Sequence, residues 1–159
     1  MARYSKRLKL SECAFVEPPA FAGHSTGHTE AIRAGHRHER KTRTRLDKEG
    51  VEYLYGCWIG YVTVDGKSGV LQPDFIVFDY ARLRITILEA KLSHTPLAYF
   101  QLVNAYAPCL KFMFPLWEIR LQEVVHWYDA FLAFPGEHAL RRKLTDAPPA
   151  PTVGVHILR

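Results

Sequence analysis

LQPDFIVFDYARLRITILEAKLSH, residues 71–94, decides how the rest of the chain is read. It sets an acid, Asp74, directly after a proline and ahead of the apolar run FIVF. It then sets Glu89 and Lys91 at the end of a second apolar run, ITIL. Side chains alternate across a strand, so Glu89 and Lys91 share one face and Ala90 points to the other. If the two runs form a hairpin turning at Ala81-Arg82, residues whose numbers sum to 163 stand opposite each other, and Asp74 faces Glu89. A slip of one residue would break that match. Two carboxylates so close repel, and burial adds to the cost. A divalent cation resolves the conflict: Mg²⁺ takes hard oxygen ligands and is usually held by one or two carboxylates plus substrate phosphates. Lys91 is then available to position or help deprotonate a water, or to stabilise charge on a phosphate. The competing reading is an ordinary surface ion pair between Glu89 and Lys91. The apolar neighbours argue against it, because they mark central strands, where charge is rare.

Working outward, residues 51–64 (VEYLYGCWIGYVTV) are aromatic and β-branched and read as a strand with a glycine bend. DGKSG, 65–69, is a turn, and residues 70–80 and 84–92 form the second and third strands. Upstream, Thr29 caps a helix that runs to Glu49 and stops at Gly50. Downstream, TPLAYFQLVNAYA, 95–107, is a helix capped by Thr95 with Pro96 in its first turn, and Pro108 ends or kinks it. Residues 116–125 read as a fourth strand, one or two helices follow over 126–144, and VGVHILR is a last edge strand. Residues 1–28 read as an extended arm or loop. The order of helix, three strands, helix and strand predicts an α/β layer arrangement.

The bulk properties agree with one soluble domain. The chain has 159 residues, 48% of them hydrophobic, enough for a sizeable core. Lysine and arginine number 21 against 16 acids, a net charge of +5 that suits a polyanionic partner. Three scattered cysteines with no CxxC pair exclude a zinc ribbon and a disulfide framework, and predict reduced thiols in the cytoplasm. No signal peptide and no run of membrane-spanning length is present, so no membrane partner is expected.

Pro73-Asp74 together with Glu89-Ala90-Lys91 resembles the PD-(D/E)XK nuclease motif. The order of elements also resembles that superfamily's restriction-endonuclease-like core: helix, three-stranded meander, helix and strand, with a mixed central sheet flanked by helices. The resemblance covers residues 33–106. It implies a Mg²⁺-dependent deoxyribonuclease, with Mn²⁺ as a substitute, that hydrolyses phosphodiester bonds through a metal-activated water. It implies that Asp74 and Glu89 bind the metal, with Ala90 among the metal contacts, and that Lys91 serves the attacking water.

The family usually adds an acid or histidine from the first helix. At about 100° per residue, Ile32, Gly35, Glu39 and Leu46 form a narrow stripe that should face the sheet, with His36 on its edge and His38 well off it. Gly35-x-x-x-Glu39 resembles the pattern of RecB-type and lambda-exonuclease-like members. Glu39 is therefore the expected further metal ligand and catalytic residue, His36 the reserve, and Gly35 the residue that lets the helix approach the sheet. RecB-type members carry Q-x-x-x-Y on the following helix. Here Gln101 and Tyr106 are one residue further apart, so Gln101, preceded by AYF, is carried over as catalytic and Tyr106 falls outside the pattern.

Arg33, Arg37, Arg40, Lys41 and Arg43 crowd the first helix, where they would hold DNA by its phosphates without reading bases. The whole chain is thus expected to be one nuclease domain: arm 1–28, core 29–125 and C-terminal elaboration 126–159. DNA is the expected partner, with room for a homo-oligomer or a protein partner, and exonuclease and structure-specific endonuclease both remain open. The competing function is a non-catalytic nucleic-acid-binding protein on the same fold.

Overall fold

A computed structural model describes residues 4–23, 29–93, 95–126 and 153–159. The helices expected over 126–144 and residues 24–28 of the arm therefore fall outside the described residues, apart from His126.

Strand β1, Leu10–Val16, is followed by helix α1, Glu30–Glu49. Thr29 caps α1 by accepting from the Ile32 amide, and Gly50 ends it in the left-handed conformation at φ 67°. The aromatic run after Gly50 then divides. Strand β2, Glu52–Tyr55, and strand β3, Trp58–Thr63, belong to different sheets. Gly56, at φ 61°, makes the corner between them, a conformation that glycine adopts without strain. Strand β4, Ser68–Leu71, returns along β3. Strand β1 pairs antiparallel with the other side of β3, giving a three-stranded sheet in the order β1-β3-β4. The expected N-terminal arm is therefore in part a strand: Leu10–Val16 offers enough extended, ladder-forming backbone to cover an edge that β3 would otherwise expose.

Strand β5, Phe75–Asp79, and strand β6, Arg84–Lys91, form the expected hairpin, with Phe75 opposite Leu88. Its turn contains no glycine or asparagine. Asp79 closes it by accepting from the Arg82 amide at 3.1 Å, and Leu83 takes a positive φ of 47°. Strand β7, Glu118–Val125, and strand β8, Val153–Ile157, add in parallel, giving a mixed five-stranded sheet in the order β2-β5-β6-β7-β8. β8 lies at the edge, as expected.

Between β6 and β7 the chain forms helix α2, Pro96–Phe100, a π-helical segment, Gln101–Tyr106, and helix α3, Ala107–Met113. Pro108 does not end the helical stretch. It falls in the first turn of α3, and the carbonyl four residues before it, that of Asn104, accepts from the Leu8 amide at 2.8 Å instead.

Two apolar clusters sandwich the sheet. Leu46 of α1 packs with Phe75, Leu88, Ala90 and Val124 on one face. Ile76, Ile85, Ile87 and Leu121 meet Leu102, Tyr106 and Leu110 on the other. The molecule is thus α/β, a mixed sheet with helices on both faces.

Candidate active site

Asp74 lies just before β5, held by two hydrogen bonds of its own and by a third that fixes its neighbour Gly56. The corner residue Gly56 donates its amide to the Asp74 carbonyl at 2.9 Å. The Gln72 side chain donates to the Gly56 carbonyl at 2.9 Å. The Ala90 amide donates to Asp74 Oδ2 at 2.8 Å. The place where the chain changes sheet is therefore also the place where the acid is held against the end of β6.

Glu89 is 2% exposed. Lys91, on the same face of β6, donates from Nζ to Glu89 Oε1 at 2.8 Å. The other carboxylate oxygen, Oε2, is buried without a hydrogen-bond partner among the described residues. A buried polar atom left unpaired is costly and is the kind of exception that marks a site. Burial first, then the neighbouring charge of Glu89, pushes the Asp74 carboxyl up to about 8, with Glu39 adding to the rise. Burial likewise raises Glu89, against the pull of Lys91. Burial opposes the Lys91 ammonium, but the charges of Glu89 and Asp74 outweigh it, and its pKa rises. Two acids whose ionisation burial opposes, beside a lysine whose charge they favour, form one electrostatic unit.

Glu39 joins that unit from α1, since its charge acts on Asp74, Glu89 and Lys91 alike. It accepts a hydrogen bond from the Tyr55 hydroxyl at 3.2 Å, and the Tyr55 ring stacks on Phe75, the residue after Asp74. Sequence reasoning missed Tyr55, which reads there only as one aromatic of the strand over 51–64. His36 is exposed and, among the described residues, meets the group through Glu39, with Nδ1 4.0 Å from Glu39 Oε2.

The inward face of α1 differs from the expected stripe. His38, Thr42 and Leu46 are its buried residues, while Ile32 is 40% exposed. His38 was placed well off that face by an apolar count. Its burial rests on hydrogen bonds instead: Nε2 contacts the Val124 carbonyl at 2.8 Å, and Thr42 donates to the His38 carbonyl at 3.0 Å. Glu39 sits at the border of this face. A side chain at Gly35 would meet nothing within 4 Å among the described residues, so close approach to the sheet does not explain that glycine.

Gln101 opens the π-helical segment and is half-buried. Hydrogen bonds in a π-helix close from i to i+5, so residues five apart stand one above the other. Gln101 and Tyr106 thereby take the relation that residues four apart take in an α-helix. Tyr106 is buried and donates from its hydroxyl to the Gln72 carbonyl at 3.3 Å, two residues before Asp74. The extra residue that excluded Tyr106 on α-helical spacing is absorbed by the wider turn.

Glu123 of β7 was also missed. It is fully buried and is the register partner of Glu89 across the parallel ladder, so both carboxylates lie on one face of the sheet. The only signal in the sequence was an acid inside a strand of otherwise apolar inward positions.

No group of three or more His, Cys, Asp or Glu side chains among the described residues stands ready to hold a metal ion. Asp74 and Glu89 nevertheless fit a hard cation that needs only one or two carboxylates, and Glu89 Oε2 is an oxygen in want of a partner. Ala90 contributes its amide to Asp74, and its side chain packs toward α1.

Arg33, Arg37, Arg40, Lys41 and Arg43 are all exposed along α1. Arg37 pairs with Glu30 at 2.5 Å, and Arg43 lies over the Tyr55 ring, 5.0 Å from its centroid. No described helix is long and apolar enough to cross a membrane. The chain matches no protein-family model, no curated protein and no solved structure.

Proposed function

We propose that the protein is a metal-dependent nuclease of the PD-(D/E)XK type, on a restriction-endonuclease-like core, hydrolysing phosphodiester bonds in DNA in the cytoplasm. The observation that carries this reading is the ion pair of the buried Glu89 with the half-buried Lys91, with Asp74 clamped beside it by the Ala90 amide. A bound Mg²⁺ would supply a polarised water and offset phosphate charge.

Asp74 and Glu89 would hold that ion, with Glu39 as a further carboxylate at the rim. Ionised, these acids accept only, and their mutual repulsion favours a cation over an empty site. Lys91 keeps its proton at neutral pH, so it serves as a fixed donor. It orients the attacking water or stabilises charge on the phosphoryl oxygens. The exposed cations of α1 would hold flanking phosphates, which positions a strand without reading its sequence.

Incubation of the protein with plasmid and linear DNA, in Mg²⁺, Mn²⁺ or EDTA, tests the reading. Cleavage with metal and none with EDTA supports it. DNA binding with no cleavage under any metal favours a non-catalytic nucleic-acid-binding protein.

A further inference from the structure

Strand β2 carries two tyrosines, Tyr53 and Tyr55, which alternation puts on one face of the strand. Each donates its hydroxyl to an acid of α1: Tyr53 to Asp47, and Tyr55 to Glu39 Oε2 at 3.2 Å. Asp47 lies in the last turn of α1 and Glu39 near its middle, so the two bonds fasten β2 to the helix at separate points. The second of them reaches the candidate site. Tyr55 is the register partner of Phe75, the residue after Asp74, and the two rings stack with centroids 5.0 Å apart. The Arg43 guanidinium lies over the Tyr55 ring as well, 5.0 Å from its centroid. The next residue, Gly56, donates its amide to the Asp74 carbonyl at 2.9 Å. Two successive residues at the end of β2 thus hold two acids, Glu39 through a side chain and Asp74 through the backbone.

We propose that Tyr55 is a positioning residue of the site: its hydroxyl, fixed by the ring's packing on Phe75 and Arg43, holds the Glu39 carboxylate in place for a divalent cation shared with Asp74 and Glu89. The inference rests on the nuclease reading and on Glu39 serving the ion.

A glutamate at the border of a helix face has several rotamers, and binding an ion costs it that freedom. A donor already bound to the carboxylate removes part of the cost before the ion arrives. One oxygen can serve both partners, because an ionised carboxylate offers about four lone-pair sites. Carboxylates that ligate metals are commonly held by such a hydrogen bond, and its loss weakens metal binding rather than the chemistry alone. Tyr53 makes the same kind of bond to the same helix, but its partner Asp47 is not one of the acids of the site. The two tyrosines therefore separate a role in holding β2 against α1, which both share, from a role at the metal, which belongs to Tyr55.

The test compares the full-length wild type with Tyr55→Phe and Tyr53→Phe, each of which keeps the ring and removes the hydroxyl. The unfolding midpoint is recorded in EDTA, to confirm folding, and then across titrations with Mg²⁺ and with Mn²⁺. DNA cleavage is measured over the same concentrations. In Tyr55→Phe the Mg²⁺ concentration needed for a given rise in midpoint, and for half-maximal cleavage, should increase by about tenfold. The rate at saturating Mg²⁺ should stay close to that of the wild type. Tyr53→Phe should keep the wild-type metal dependence. Adding Tyr55→Phe to Glu39→Gln should cost no more than Glu39→Gln alone, because Tyr55 acts through that carboxylate. An unchanged metal dependence in Tyr55→Phe would overturn the proposal, as would an equal shift in Tyr53→Phe or independent losses in the double variant. With a wild type that responds to metal, those results remove this inference alone. A folded wild type that neither gains stability from metal nor cuts DNA removes the nuclease reading and this inference together.

Discussion

Asp74 Oδ2 accepts the amide of Ala90 at 2.8 Å, so an acid that precedes β5 is tied to the strand position between Glu89 and Lys91. That single bond spans the hairpin at its open end and brings the two halves of the motif together. A carboxylate held this way is half-buried beside Glu89, and the consequences can be measured.

The first consequence is a fall in stability with rising pH when no metal is present. Asp74 is raised to about 8 in the folded protein, while an unfolded aspartate titrates near its ordinary value of about 4. Between those values the folded state binds more protons, so stability decreases as pH rises through the window. Below it, Asp65, Asp79 and Glu118, all held low by hydrogen bonds, act in the opposite sense. In chelator, the unfolding midpoint should drop between about pH 5 and pH 9, and Asp74→Asn, which can still accept from Ala90, should flatten the drop. A midpoint that is level or rising in the wild type would show that Asp74 is not held in this way.

Lys91→Ala should cost both activity and stability. It removes the partner 2.8 Å from the buried Glu89 carboxylate and leaves that charge uncompensated. The loss of midpoint should be larger near pH 8 than near pH 5, where Glu89 more readily takes a proton, because its pKa is raised. Cleavage should fall by about a hundredfold or more, the usual effect of deleting a charge-stabilising donor. Equal destabilisation at both pH values would place the lysine outside the electrostatic unit.

If the proposed site holds Mg²⁺, the ion would bind only the folded state and should raise the unfolding temperature in proportion to occupancy. Glu39→Gln should reduce that rise and the activity, because Glu39 acts on all three inner residues. His36→Ala should leave both nearly unchanged, since, among the described residues, His36 meets the group through Glu39. The reverse pattern would make the histidine the ligand.

The cations of α1 should show in the salt dependence of DNA binding. Replacing Arg37, Arg40 and Lys41 with alanine should flatten the slope by about 0.9 per lost phosphate contact on duplex, alike for all sequences. A slope that does not change would remove this face of α1 from the interface.

How much of this was legible in the sequence follows from what each signal measures. The β5–β6 hairpin could be read because period-two alternation fixes both register and face, and the pairing of Phe75 with Leu88 agrees with the expected sum. The limits of α1 could be read because Thr29 and Gly50 are local signals. The inward face of α1 could not, because His38 and Thr42 are buried through hydrogen bonds that an apolar stripe does not reveal. The run after Gly50 was read as one bent strand, because nothing local says that Gly56 sends its two halves into different sheets. Tyr106 was set aside because spacing was counted on an α-helix, and a π turn is decided by tertiary packing. Glu123 depends on which strand lies beside β6, a long-range fact that no window of sequence contains.

The most direct test compares metal-dependent DNA cleavage by the wild type and by Asp74→Asn, a substitution that keeps the acceptor for the Ala90 amide and removes the charge. Rates are measured in Mg²⁺ and in Mn²⁺, with EDTA as control, on protein whose thermal transition confirms folding. Cleavage by the wild type that requires metal, and that falls by about a hundredfold or more in Asp74→Asn, is the expected result. Equal cleavage by the two proteins, or a folded wild type inert toward DNA with either metal, would contradict the account.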